Sequence, residues 1–317
     1  MRRNTSGEMD TLLYIFQNCT ILCFIGGDSI TQNLLKGIRK FTNESDILIK
    51  LQRYISLFLD PLHLLPAWHR IVRKVFYAID RITSKGNKYS FYETNHNIII
   101  PPSHLLYSIS GYFDTEWYLQ SGEECFRYIK NYLKDIGVNI EELKTILDFG
   151  CGCGRVIQHL RFPSRLVGVD TDRNAIKWCK ENIKHAEFYH IQPFSALPFH
   201  NDTFDFVYAI SIFTHFTEEL EKFWIDEIYR VLKDKGIFLL TLRTNPFFLH
   251  PFTGRERRIF EEKGFVSQHP RYAGTLYCNS FHSLDHIRRT FLKKFKLKLL
   301  IRGGATDYKQ DLLLLEK

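Results

Sequence analysis

Sulfur is scarce in this sequence: two methionines and seven cysteines among 317 residues. The cysteines are odd in number and scattered, and no two are spaced Cys-x-x-Cys. That excludes a disulfide framework and a four-thiol zinc site, and fits a reducing compartment with thiols kept free. Long hydrophobic runs are missing too. The apolar stretch from Leu12 to Ile25 follows Arg2 and Arg3, but Gln17 and Asn18 break it and no small-residue cleavage site follows. It is too short to span a bilayer and is read as buried or interfacial, so the expectation is a cytoplasmic protein with no membrane span. There is no internal repeat and no low-complexity tract. Charge of one sign is not dominant: 43 basic residues against 35 acidic ones leave +8. The densest basic patches, Arg255–Arg258 and Lys293–Lys298, are short and read as solvated faces. Nucleic acid is therefore not the expected partner.

What is present is a regular alternation. From Leu143 onward, β-like runs (KTILDFG, RLVGVD, AEFYHI, TFDFVYAIS, GIFLLTLR) alternate with helical patterns. RVIQHL is expected to begin a helix, TDRNAIKWCKENI is amphipathic with Asp172 near its start, and TEELEKFWIDEIYRVLK carries Thr217 as cap. Such alternation predicts an α/β fold: a Rossmann-like, doubly wound seven-stranded sheet. After a last helix, KLKLLIRGG and DLLLLEK predict a C-terminal antiparallel hairpin. Residues 89–317 are taken as one domain. Within it, 245–280 holds Pro246, Pro251, Gly254, Gly264, Pro270 and Gly274, a loop-rich insertion placed where a substrate lid could form. Residues 1–88 form an N-terminal extension of unassigned role, mostly helical, with one β-α-β-like stretch (TILCFIGG, TQNLLKGIRKF, DILIKL).

The chemistry centres on Ile146 to Arg155, ILDFGCGCGR. A dinucleotide loop follows Gly-x-Gly-x-x-Gly, with the third glycine packing helix on strand. Counting from Gly150 and Gly152, that position falls on Arg155, and the glycines run 150, 152, 154 instead. Asp148 at the strand end would repel a pyrophosphate but attract a cationic ligand. S-adenosyl-L-methionine has a sulfonium, an ammonium and no phosphate. Asp170, ending the second β run about 20 residues on, can accept hydrogen bonds from ribose hydroxyls. Cys151 and Cys153 offer only two thiols and are read as small side chains filling a turn, with no metal expected.

ILDFGCGCGR resembles motif I of class I S-adenosylmethionine-dependent methyltransferases. LVGVDTDRNAIKWCKEN is similar to their second motif, ALPFHNDTFDFVYAISIFTHF to their LPF-x-x-x-x-FD segment, and EIYRVLKDKGIFLLT to the segment usually written LKPGG. The resemblance covers about 100–244 closely and 281–317 by topology. It implies S-adenosyl-L-methionine as cofactor and contacts to it from Asp148, Gly150, Cys151, Gly152, Gly154, Asp170, Thr171, Gln192 and Ser211. Two departures stand out. KDKG replaces KPGG, which alters a turn. The acidic residue that often precedes LPF is absent, and Gln192 is the substitute acceptor for the adenine amino group.

The implied reaction is in-line methyl transfer, in which the protein chiefly orients the acceptor. An oxygen acceptor gains from a general base, and His215 in SIFTHF, just past the fourth strand, is the candidate. Tyr112, Trp117 and Tyr118 could close over the cofactor, and Tyr272 and Tyr277 could touch substrate, though aromatics at such spacings usually serve a core. Arg155 is expected to start a helix and pair with an acidic neighbour. GGDSIT (Gly26–Thr31) is similar to the nucleophile block of GDSL-type esterases, yet the Asp-x-x-His it needs occurs only at Asp60–His63, too near in sequence. NPFF (Asn245–Phe248) is similar to the Asn-Pro-Pro-Tyr/Phe motif of nucleic-acid amino methyltransferases, but follows the fifth strand where that motif follows the fourth. The expected acceptor is a hydroxyl of a sugar or small metabolite. A non-catalytic S-adenosylmethionine-binding module and a nucleic-acid methyltransferase are the alternatives.

Overall fold

A computed structural model describes residues 98–110, 115–244, 252–305 and 310–317. The N-terminal extension, Tyr112, GGDSIT and NPFF lie outside them.

The first strand, β1 (Thr145–Phe149), is followed by β2 (Arg165–Asp170), β3 (Glu187–His190), β4 (Phe204–Ala209) and β5 (Leu232–Leu242). With β8 (Lys296–Ile301) and β9 (Asp311–Glu316) they form one seven-stranded sheet in the order β3-β2-β1-β4-β5-β9-β8. The first five strands are parallel, and β9 runs antiparallel between β5 and β8. The predicted seven strands and terminal hairpin are both present. Alternation along each strand explains the two covered faces. Ile146, Phe206 and Tyr208 bury against α2 (Thr115–Asp135) and α3 (Arg173–Asn182). Leu147, Phe149, Val207 and Ala209 bury on the opposite face, against α4 (Glu218–Val231) and α6 (Leu284–Thr290). A shorter helix, α1 (Ser103–Ser110), precedes α2.

Local chemistry sets the boundaries. Asp172 caps α3 by accepting from Asn174 N (2.8 Å) and Ala175 N (3.3 Å), and Thr217 caps α4 by accepting from Leu220 N (3.4 Å). The helix expected to begin at RVIQHL does not form. Only a 3-10 turn, Ile157–His159, follows β1, and Leu160 is already extended. Pro163 gives the reason: it bars Phe162 from helical angles and leaves too few residues for stable turns.

The 245–280 segment is more regular than its prolines and glycines suggested. Its described part holds α5 (Gly254–Lys263), closed at its start by a Thr253–Glu256 capping box, and the antiparallel pair β6 (Phe265–Gln268) and β7 (Asn279–His282). The glycine expected to mark loop, Gly264, is the left-handed C-cap of α5, with φ 69°. No helix among the described residues is long and apolar enough to cross a membrane.

Candidate functional site

Parallel strands place their following loops along one edge of the sheet. Asp148, the 150–154 loop, Asp170, Thr171, Gln192, Ser211 and His215 all fall at or just beyond the carboxyl ends of β1 to β4. The fold thus brings to one edge residues spread over Asp148 to His215.

The glycine loop and β2 are tied directly. Asp170 Oδ2 accepts Gly152 N–H (2.8 Å) and Oδ1 accepts Asp172 N–H (2.7 Å), which fixes the carboxylate's orientation. Burial raises the Asp170 carboxyl above its usual range, against these two backbone donors. Gly150 and Gly152 have φ of 82° and 53°, which L side chains rarely adopt. A Cβ on Gly150 would lie 2.2 Å from the Ile212 side chain, so any larger residue would have to displace that side chain as well as hold the left-handed backbone. Cys151 and Cys153 are buried at 5% and 0% exposure, and burial pushes both thiols well up. Both fill the tight turn as buried protonated thiols.

Asp148 is 4% exposed, and burial raises its carboxyl to about 7, with Tyr208 and Arg155 drawing it partway down. Tyr208 is its register partner on β4. Arg155 does not start a helix, and its charge acts on the acidic neighbour Asp148. Its guanidinium lies over the Trp117 ring (5.1 Å) and donates to Cys125 Sγ (3.4 Å), both on α2. Tyr118 is fully buried and donates to Cys153 O (2.8 Å), so α2 clamps the glycine loop from behind.

At the other end of the site, Ser211 has φ 60° and is held by a buried polar chain. Its N–H donates to Thr241 Oγ1 (2.7 Å), Thr241 Oγ1 donates to Gln310 Oε1 (2.6 Å), and Gln310 Nε2 donates to Ser211 Oγ (2.8 Å). Thr241 and Gln310 were not anticipated. Their signal was present: a lone hydroxyl in GIFLLTL, and a buried amide just ahead of an apolar strand.

His215 is 9% exposed, in a 3-10 turn (Phe213–His215) after β4. Its Nδ1 is 2.6 Å from Cys278 O. A carbonyl only accepts, so Nδ1 carries the hydrogen and the neutral ring keeps its lone pair on Nε2. Gly274 N donates to His215 O (2.7 Å), and Arg243 Nη1 donates to Thr214 O (2.9 Å). Gln192, by contrast, stands exposed in the loop after β3, and Thr171 is exposed beside Asp170. Tyr272 and Tyr277 stack edge to face in the insertion (6.2 Å), half-buried.

Residues 147–240 match the family described as "Methyltransferase domain". This stretch of the chain is a methyltransferase domain. Among curated proteins, the chain is 35% identical over 108 residues to a sterol 24-C-methyltransferase of Schizosaccharomyces pombe, covering 32% of this chain and 28% of that protein. It is 32% identical over 120 residues to a ribosomal protein L11 methyltransferase of Aquifex aeolicus, covering 36% and 42%. The chain thus spans less than half the length of these two relatives. Among solved structures, an S-adenosylmethionine-dependent methyltransferase of Methanosarcina mazei superposes with a TM-score of 0.44 at 22% identity, covering 56% of this chain and 93% of that one.

The methyltransferase family implies S-adenosyl-L-methionine, and the residues present fit it. The loop facing the ligand edge is glycine at the positions where a Cβ would collide, and the flanking side chains are the carboxylates Asp148 and Asp170. Acceptors suit a ligand bearing hydroxyls and positive charge, and Arg155 is turned onto α2 rather than toward a phosphate.

Proposed function

We propose that this chain moves a methyl group from S-adenosyl-L-methionine to a hydroxyl of a sugar or small metabolite. Asp170 would hold the ribose hydroxyls, Asp148 would favour the cationic end, and the Gly150–Gly154 backbone would let the ligand approach closely. Thr171, Ser211 and Gln192 complete the proposed contacts, with Gln192 as acceptor for the adenine amino group. Bound there, the cofactor supplies an electrophilic methyl on a sulfonium. The protein's remaining tasks are to orient the acceptor and take its proton.

The observation that carries the choice of a hydroxyl is the His215–Cys278 hydrogen bond. It fixes the tautomer that a general base needs and anchors the ring at a site edge. Carbon or sulfur acceptors with acidic or absent protons would not require such a group. The insertion that supplies the Cys278 carbonyl would act as substrate lid, with Tyr272 and Tyr277 as acceptor contacts. Free thiols at Cys151, Cys153, Cys179 and Cys278 suit a reducing cytoplasm.

His215→Ala is expected to lower turnover by about 10²–10⁴-fold with cofactor affinity within about threefold. The substrate class is tested with methyl-labelled cofactor and cell extract, fractionated into glycan, small molecules, protein and nucleic acid. Label in the first two supports the reading. Label in nucleic acid, or none with cofactor bound in calorimetry, favours one of the alternatives.

A further inference from the structure

Away from the cofactor edge, three ionisable side chains meet in a dry pocket. Glu221 projects from α4, His282 ends β7 and His286 lies on α6. Their exposures are 0%, 0% and 2%. His282 Nε2 sits 2.5 Å from Glu221 Oε2, and His286 Nε2 sits 2.6 Å from Glu221 Oε1. One imidazole therefore faces each carboxylate oxygen, and both do so through the same ring nitrogen. The donor atoms of the three residues all lie within 4.8 Å of one another.

The local sequence builds this convergence. Ser283, between strand and helix, caps α6 by accepting His286 N–H (3.1 Å). The cap fixes a sharp strand-to-helix turn, so residues four apart present both rings to one point, 5.6 Å between centroids. The Phe265 ring walls the pocket, 5.1 Å from His282 and 4.7 Å from His286. His-x-x-x-His is a zinc-ligand spacing, and two imidazoles with a carboxylate are a ligand set zinc takes.

We propose that Glu221, His282 and His286 bind one divalent cation of the zinc class, which pins the insertion to α4. A tetrahedral ion with bonds of about 2.0–2.1 Å holds its ligand atoms roughly 3.3 Å apart, so the two short contacts open by roughly 0.7 Å each. The small rotations needed lie on side chains from three separate elements. One opposing cost is visible. With Nε2 on the metal, the ring hydrogen of His282 moves to Nδ1, which is buried without a partner among the described residues. With both Glu221 oxygens turned into the site, the three residues offer four donor atoms to an ion shut from solvent, so its role is structural and independent of the methyl-transfer reading.

Burial makes loading slow, so zinc is supplied during expression and the full chain is purified without chelator. Metal analysis is expected to give one zinc per chain, and chelation under mild denaturant to lower Tm by several degrees. X-ray absorption at the zinc edge should show nitrogen and oxygen neighbours with two imidazoles and no sulfur. His282→Gln and His286→Gln should each cut bound zinc at least tenfold. Should a variant fail to fold, cobalt loading of the unaltered chain, read as ligand-field bands in the visible, gives the same answer. Three results would overturn the proposal: less than about a tenth of an equivalent of metal after supplementation, a sulfur shell, or full zinc retained by both variants. The first of these would leave the three groups as a proton-held triad.

Discussion

A carboxyl placed where water is scarce titrates late. Burial raises Asp148 to about 7 from an ordinary value of 3.8. Between those values the folded chain holds a proton that the unfolded chain has lost, so stability contributed at this site is complete below about pH 4 and falls as pH rises to 7. A shift of this size corresponds to about 4 kcal/mol. Cofactor binding should run the other way, since a cation prefers the ionised carboxylate. Calorimetry with S-adenosyl-L-methionine should therefore show affinity increasing from pH 6 to 8, and Asp148→Asn should flatten both profiles. A wild-type binding profile already flat across that range removes Asp148 from the cofactor's surroundings. The Gln310 amide is a second residue-scale case. It accepts from the Thr241 hydroxyl and donates to the Ser211 hydroxyl, closing a ring with the direct Ser211 N–H to Thr241 Oγ1 bond. Gln310→Ala leaves buried partners unmatched, at a cost of about 1–3 kcal/mol. Because Ser211 is a proposed cofactor contact, the KM for cofactor should rise together with the loss in Tm. A drop in Tm with KM unchanged would limit Gln310 to a structural role. The placement of Asp148 and Asp170 at strand ends was legible because β alternation and glycine spacing mark it locally. Gln310 was not, because its partners lie 69 and 99 residues away and only the sheet order brings them together.

Elements were readable where one segment carries its own pattern, and less so where a neighbour decides. The parallel strands, the Thr217 and Asp172 caps and the terminal hairpin follow from alternation and capping chemistry in single windows. The helix expected after β1 failed because Pro163, beyond that window, ends it. The insertion hid α5 and the β6–β7 pair behind prolines and glycines that turned out to punctuate rather than exclude structure. The KDKG turn shows the remaining strain. Lys235 holds φ 61° at the position where the family's usual LKPGG carries a glycine. A left-handed non-glycine residue costs about 1–2 kcal/mol, partly offset by the greater chain entropy glycine loses on folding. Lys235→Gly should accordingly stabilise the fold by about 0.5–1 kcal/mol, seen as a Tm increase with unchanged denaturant slope. A decrease in Tm would mean that the lysine side chain contributes more than its backbone costs.

At the scale of the whole described fold, the segment after β4 and the insertion are one mechanical unit. Five contacts join them or fix their shared base: His215 Nδ1 to Cys278 O, Gly274 N to His215 O, Ser280 Oγ to Phe216 O, Arg243 Nη1 to Thr214 O, and His282 N to Arg243 O. Three of the five use backbone carbonyls of Thr214, His215 and Phe216, in and just after the turn that carries the candidate base. Such a turn cannot move without moving the β6–β7 pair, because its carbonyls and its ring would lose partners in a buried setting. If cofactor binds at Ser211 as proposed, the effect should therefore be felt at Gly274 in the insertion, 63 residues further along the chain. S-adenosylhomocysteine, the demethylated cofactor, offers a ligand that binds without turnover. Amide hydrogen exchange measured with and without it should slow in 211–216 and in 274–282 together, by similar factors, since coupled segments open as one unit. His215→Ala removes one contact of the five and should reduce the protection of 274–282 while leaving that of 150–154 intact. Protection confined to the glycine loop and 211–216 in the unaltered chain would show that the insertion opens independently, and it could then act as a lid only through contacts made by the acceptor itself.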